Sequence, residues 1–86
     1  MPMVTMRYWA AAKQAAGVAE ERVAAATLAE ALAAARARRP SARDFEAVLE
    51  RSSFLVDGEQ AGRRGPAEVA LGDGAVVEVL PPFAGG

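Results

Sequence analysis

Apolar and polar positions alternate with a period of two near both ends of this chain, and with a helical period of roughly 3.6 between them. At the start, Val4, Met6 and Tyr8 alternate with Thr5, Arg7 and Trp9, the pattern of a half-buried strand. Ala10 to Ala16 then reads as a short helix closed by Gly17, because glycine adopts the left-handed cap without a Cβ clash. Glu21 to Ala25 is a weaker second strand, and its register is loosely specified because Ala and Val give little contrast between its faces.

The strongest helical signal begins at Thr27-Leu28-Ala29-Glu30, where Thr27 can accept from the backbone while Glu30 reaches back, as in a capping box. Leu28, Ala31, Leu32 and Ala35 share one apolar face. Arg36, Arg38 and Arg39 fall at the negative end of the helix dipole and Pro40 stops propagation, so the helix is predicted from Leu28 to about Arg38. A further turn or two follows over Ser41 to Glu50, with Phe45, Val48 and Leu49 on a common face.

From Ser53 the period returns to two, with Phe54 and Val56 on one side. Asp57-Gly58 can take the positive backbone angles of a hairpin turn, which makes Glu59 to Ala61 the return strand. Arg63-Arg64-Gly65-Pro66 is a polar loop, Gly72-Asp73-Gly74 is a turn, and Ala75 to Leu80 is the best strand in the chain, with Val79 and Tyr8 assigned to the core. Strands at both ends around a central helix predict an α+β fold in which a crossover lets the first and last strands lie parallel and central.

Composition narrows the class. A length of 86 residues, with 52% hydrophobic content and a net charge of −1, suits one small domain without a basic stripe for phosphates, which argues against nucleic acid as a partner. The chain has no Cys and no His, which removes thiol nucleophiles, imidazole bases and ordinary zinc sites. Asp44, Asp57 and Asp73 lie in separate segments without calcium-loop spacing, so no metal site is expected. Charges interrupt the Ala-rich centre and no charged leader precedes an apolar run, so no membrane span is expected and a cytoplasmic location is the default.

The last strand meets Pro81-Pro82, which removes two successive amide donors and ends the sheet ladder at a defined point. Beyond it, Phe83-Ala84-Gly85-Gly86 reads as a flexible tail, with one aromatic anchor and a tip bearing no side chain to block a narrow channel. The organisation expected is therefore a domain over residues 1–82 and a tail over residues 83–86.

Arg7-Tyr8-Trp9-Ala10-Ala11-Ala12-Lys13, the Gly17 stop, Thr27-Leu28-Ala29-Glu30, Val56-Asp57-Gly58 and above all Leu80-Pro81-Pro82-Phe83-Ala84-Gly85-Gly86 resemble the MoaD family, the small subunit of molybdopterin synthase, among the MoaD/ThiS-like ubiquitin-related sulfur carriers. The likeness spans essentially the whole chain. Two departures affect partner contacts and leave the tail untouched: Asp73-Gly74-Ala75 stands where the family often has Asp-Gly-Asp, and the strand-one aromatic pair is Tyr8-Trp9.

The resemblance implies a ubiquitin-like β-grasp, a mixed sheet of about four to five strands packed on one main helix. It also implies that Gly86 is the reacting position. A terminal carboxylate is ionised at neutral pH and is a poor electrophile, so it needs activation. In the family a MoeB/ThiF-like adenylyltransferase, related to ubiquitin-activating enzymes, uses MgATP to convert it to an acyl-adenylate. A sulfur donor such as a cysteine desulfurase or rhodanese then leads to a thiocarboxylate, which a MoaE-like large subunit uses on a pterin precursor. No cofactor is expected on this chain itself. Gly85 and Ala84 would thread the partner's channel, and Phe83, Leu80, Trp9 and Lys13 would contact partners. The strand pattern by itself favours core for Leu80, while Trp9 can equally be a partly buried aromatic and Lys13, the only lysine, a solvated charge. Carriers for thiamine, cysteine or transfer-RNA thiolation, and a plain ubiquitin-like interaction module or modifier, remain alternatives on the same fold.

Overall fold

The two-residue alternation at the start becomes strand β1 (Met3–Tyr8), and the computed structural model that shows it describes residues 1–82. The expectations for Phe83, Ala84, Gly85 and Gly86 lie outside the described residues. Helix α1 (Ala10–Ala16) follows and ends at Gly17, which is left-handed at φ +83° and donates its N–H to the Lys13 carbonyl at 3.0 Å. Strand β2 (Glu20–Ala24) returns antiparallel to β1, with Val4 opposite Val23 and Arg7 opposite Glu20.

Helix α2 (Leu28–Ala37) starts as its sequence predicts: the Glu30 N–H donates to Thr27 Oγ1 at 3.2 Å. Glu30 reaches back one residue further than a simple capping box and accepts from the Ala26 N–H at 2.7 Å. Helix α3 (Arg43–Arg51) is a full nine-residue element, longer than the turn or two expected, and it rivals α2 at ten residues. Three successive inward residues, Phe45, Val48 and Leu49, reward extension of the helix across the sheet. Strands β3 (Ser53–Val56) and β4 (Glu59–Gln60) form the predicted hairpin, whose Asp57 and Gly58 both have positive φ, at 51° and 85°. A single 3-10 turn at Pro66–Glu68, unforeseen in the polar loop, leads Val69 and Leu71 into the core before β5 (Val76–Leu80).

The five strands run in the order β2-β1-β5-β3-β4, with β1 and β5 parallel and all other neighbours antiparallel. This is the mixed β-grasp sheet predicted, with β5 at its centre. One face is dry: Val4, Met6 and Tyr8 from β1 and Val77 and Val79 from β5 join Leu28, Leu32, Phe45 and Leu49 in one buried cluster. Tyr8 and Val79 are thus core, as expected.

A polar cluster closes one end of this core. Glu21 projects from β2 and takes a two-pronged ion pair from Arg39, at 2.7 and 2.8 Å, together with Arg38 Nη1 at 3.2 Å and the Tyr8 hydroxyl. Arg39 also donates to the Ala16 and Ala35 carbonyls, both at 2.9 Å, so one side chain ties the ends of α1 and α2 to β2. Its guanidinium stacks 4.8 Å from the Phe45 ring centroid. Burial alone would push the Glu21 carboxyl up, but the hydrogen bonds from Arg39, Tyr8 and Arg38 outweigh it and hold the group below its ordinary value. Burial, reinforced by the bond to Glu21, pushes the Tyr8 phenol well up. The sequence placed Arg39 only against the helix dipole; its pairing with Glu21 depends on a β2 register that the Ala and Val residues do not announce.

Arg39→Ala, which strands a mostly buried carboxylate, should lower unfolding free energy by about 2–3 kcal/mol in urea titrations. Because the folded Glu21 carboxyl is depressed, its contribution is present above its ordinary value of 4.5 and is lost as pH falls through the folded value. Wild type should therefore lose more stability than Glu21→Gln on acidification below about pH 5, and parallel curves for the two would contradict the assignment.

Candidate functional site

Pro81, which is buried, and Pro82, which is exposed, follow directly on β5, so the chain leaves the ladder at the end of the sheet where β1 also stops, its exit edge. The open face of the sheet, opposite the helices, carries the residues of β1, β3 and β5 that alternate with the core set. Thr5 lies beside Val76, Arg7 beside Glu78, Leu55 across from Glu78, and Ser53 across from Leu80. All but Ser53 in this group are partly buried, shielded by their cross-strand neighbours with no layer above them.

Leu80 belongs to this face. It is partly buried on the side away from the helices, so the core position that the strand pattern favoured for it is not where it sits. Val77 and Val79 are fully buried against the helices, so alternation puts Val76, Glu78 and Leu80 on the opposite face.

Trp9 stands at the junction of β1 and α1 and is 46% exposed. Its N–H donates to the Val79 carbonyl at 3.2 Å, extending the β1–β5 pairing by one step, and its indole Nε1–H donates to Glu78 Oε2 at 3.0 Å. Ala10, the next residue, has φ +49°, a left-handed angle that disfavours any residue with a Cβ. Trp9 and Leu80 thus both belong to the exit edge of the sheet, one at the end of β1 and the other at the end of β5. Lys13, one helical turn on, is exposed, and with Trp9, Gln14 and Val18 it lines a shallow groove along α1. Among the described residues its side chain makes no hydrogen bond or ion pair.

Phe83, Ala84, Gly85 and Gly86 complete the predicted site and lie outside the described residues. Glu78, Leu55 and Val76 were missed by the sequence reading. Alternation within β5 marks Glu78 and Val76 as a pair, but their neighbours come from strands 23 and 71 residues away, and pairing across such separations is not written locally. Among the described residues no three carboxylates gather where a metal ion could bind, and no helix is long and apolar enough to cross a membrane.

A five-stranded mixed sheet of this order, with helices on one face, defines a ubiquitin-like β-grasp protein. The ThiS family model matches residues 6–86, and the chain belongs to the ThiS family. Solved structures agree in fold. Small archaeal modifier protein 1 from Methanosarcina acetivorans superposes with a TM-score of 0.82 at 20% identity, covering 100% of this chain and 98% of that one. Its namesake from Haloferax volcanii gives 0.80 at 24% identity, covering 98% and 99%. A complex of subunits 1 and 2 of molybdopterin-converting factor from Helicobacter pylori gives 0.68 at 21% identity, covering 98% and 99%. A comparison with curated proteins gives no match.

The two roles open for Trp9 differ in stability. Trp9→Ala should change unfolding free energy by less than about 1 kcal/mol. Tyr8→Ala, one residue earlier and buried, should cost about 3–5 kcal/mol. Equal losses in urea titration would make Trp9 a core residue.

Proposed function

We propose that this chain is a sulfur carrier of the molybdopterin-synthase small-subunit type, bearing its sulfur as a thiocarboxylate on Gly86. The observation that carries the proposal is where the central strand leads: β5 stops at Leu80, and the sequence goes on as Pro81-Pro82-Phe83-Ala84-Gly85-Gly86. Membership of the ThiS family supports the carrier role. The Pro-Pro tail and the aromatic end of β1 favour the molybdopterin branch over carriers for thiamine, cysteine or transfer-RNA thiolation.

The chemistry follows from the group carried. The Gly86 carboxylate attacks the α-phosphorus of MgATP on a MoeB/ThiF-like adenylyltransferase, and pyrophosphate leaves. The persulfide of a cysteine desulfurase or rhodanese then displaces AMP at the carbonyl carbon to give an acyl disulfide, and a second thiol attacks the donor's sulfur, releasing the thiocarboxylate and leaving a disulfide on the donor side. Sulfur is softer and more nucleophilic than the oxygen it replaces, and a MoaE-like large subunit delivers it to the pterin precursor. The subunit 1 and 2 complex from Helicobacter pylori supports a partner of that kind. In this scheme Gly85 and Ala84 occupy the partner's channel, while Phe83, Leu80, Trp9 and Lys13 face partner surfaces. The carrier contributes the reacting atom, and catalytic acids, bases and phosphate contacts come from its partners.

A modifier reading has one observation in its favour, the likeness in fold to small archaeal modifier protein 1. There the acyl-adenylate would be captured by an amine, giving an isopeptide in place of a thiocarboxylate.

Incubation with the adenylyltransferase, MgATP and a sulfide source should give an intact mass in which one sulfur replaces one oxygen. Rescue of molybdenum-cofactor production in a strain without its small synthase subunit would select that branch. Gly86→Val, or loss of Gly85 and Gly86, should abolish both results while circular dichroism stays native. An unchanged mass, under conditions that charge a control carrier, would sink the proposal.

A further inference from the structure

Glu78 is the only polar side chain of β5, and it sits mid-strand in the central strand of the sheet, where a β-branched or aromatic residue packs better. Arg7 lies beside it on β1 and is the obvious counter-charge. Arg7 turns away, however, and its Nε donates to Glu20 Oε2 on the other side at 2.7 Å. Among the described residues no ion pair joins Arg7 to Glu78. The bond Glu78 does make is the one it accepts from Trp9 Nε1, at 3.0 Å. Its partner is the large aromatic that the fold leaves half exposed beside the end of β5. The Trp9 backbone is held as well, by the Val79 carbonyl on one side and the left-handed Ala10 on the other. An indole with fixed backbone and fixed ring nitrogen loses little freedom when a partner covers it.

The geometry points to Glu78 as a positioning residue, which holds the Trp9 indole in place at the exit edge of the sheet so that the adenylating partner meets an aromatic already set for docking. The choice of partner rests on the carrier reading; the restraint on the indole does not. Glu78 acts here through Trp9 and does not touch the reacting carboxyl.

Trp9 is the only tryptophan, so its fluorescence reports this bond without a label. Acrylamide quenching of the free chain is paired with ATP–pyrophosphate exchange by the MoeB/ThiF-like adenylyltransferase and MgATP. Glu78→Ala should increase quenching and raise the KM for the carrier roughly three- to tenfold, the equivalent of one exposed hydrogen bond, with kcat unchanged. Glu78→Gln, which keeps an acceptor oxygen, should return both readouts to within about twofold of wild type. In a Trp9→Phe background, where no indole N–H remains, Glu78→Ala should add nothing further. Wild-type quenching and KM in Glu78→Ala would overturn the inference, as would an undiminished KM effect in the Trp9→Phe background. A wild-type chain that supports no exchange would overturn the carrier reading instead, and quenching would still decide whether Glu78 holds the indole.

Discussion

Parallel pairing of β1 with β5 is the constraint from which the rest of this molecule follows. Two parallel strands cannot be joined by a tight turn, so the chain between them must cross over the sheet, and here it does so with its helices on a single face. That arrangement dries one side of the sheet and leaves the other open. It also puts the last strand in the middle, where hydrogen bonds on both edges hold it firmly up to Leu80. For the proposed carrier role such a root is an advantage, because a load on the residues that follow β5 does not peel an edge strand.

The helices are fastened at one end by the Glu21 and Arg39 pair. Its value lies in geometry as much as in energy: Arg39 bonds a carboxylate on β2 and carbonyls at the ends of α1 and α2, and it stacks on the Phe45 ring of α3. Four elements thereby share one side chain. With 86 residues the apolar core alone is modest, so a satisfied polar clasp of this sort carries a larger share of the order than it would in a bigger domain. The clasp lies on the helix side of the sheet, opposite the open face.

Function divides between the two ends of this design. In the proposed scheme the chemistry at Gly86 needs no pocket in this chain, since the activating phosphates, the sulfur source and the acceptor are all held by other proteins. What the domain supplies is presentation: a defined exit, an exposed aromatic at the exit, and a sheet face whose charges are Arg7 and Glu78 near its centre and Glu20 and Arg22 on β2.

Local signals in the sequence determined the elements. Alternation marked β1 and β5, Thr27 and Glu30 marked the start of α2, Asp57-Gly58 marked a turn in which both residues have positive φ, and Gly17 marked the end of α1. The tail motif and the candidate residues at its root were legible too, because residue type and order alone carry them. Tertiary structure decided what depends on contacts between distant segments. It set the length of α3, earned by three inward residues against the sheet, and the face on which Leu80 lies. It turned Arg39 from a helix-dipole charge into a clasp, and it brought Glu78 under the indole of Trp9, 69 residues earlier in the chain. Backbone preferences act over a few neighbours and can be read in order along the chain, whereas register and pairing are settled only when the whole sheet closes.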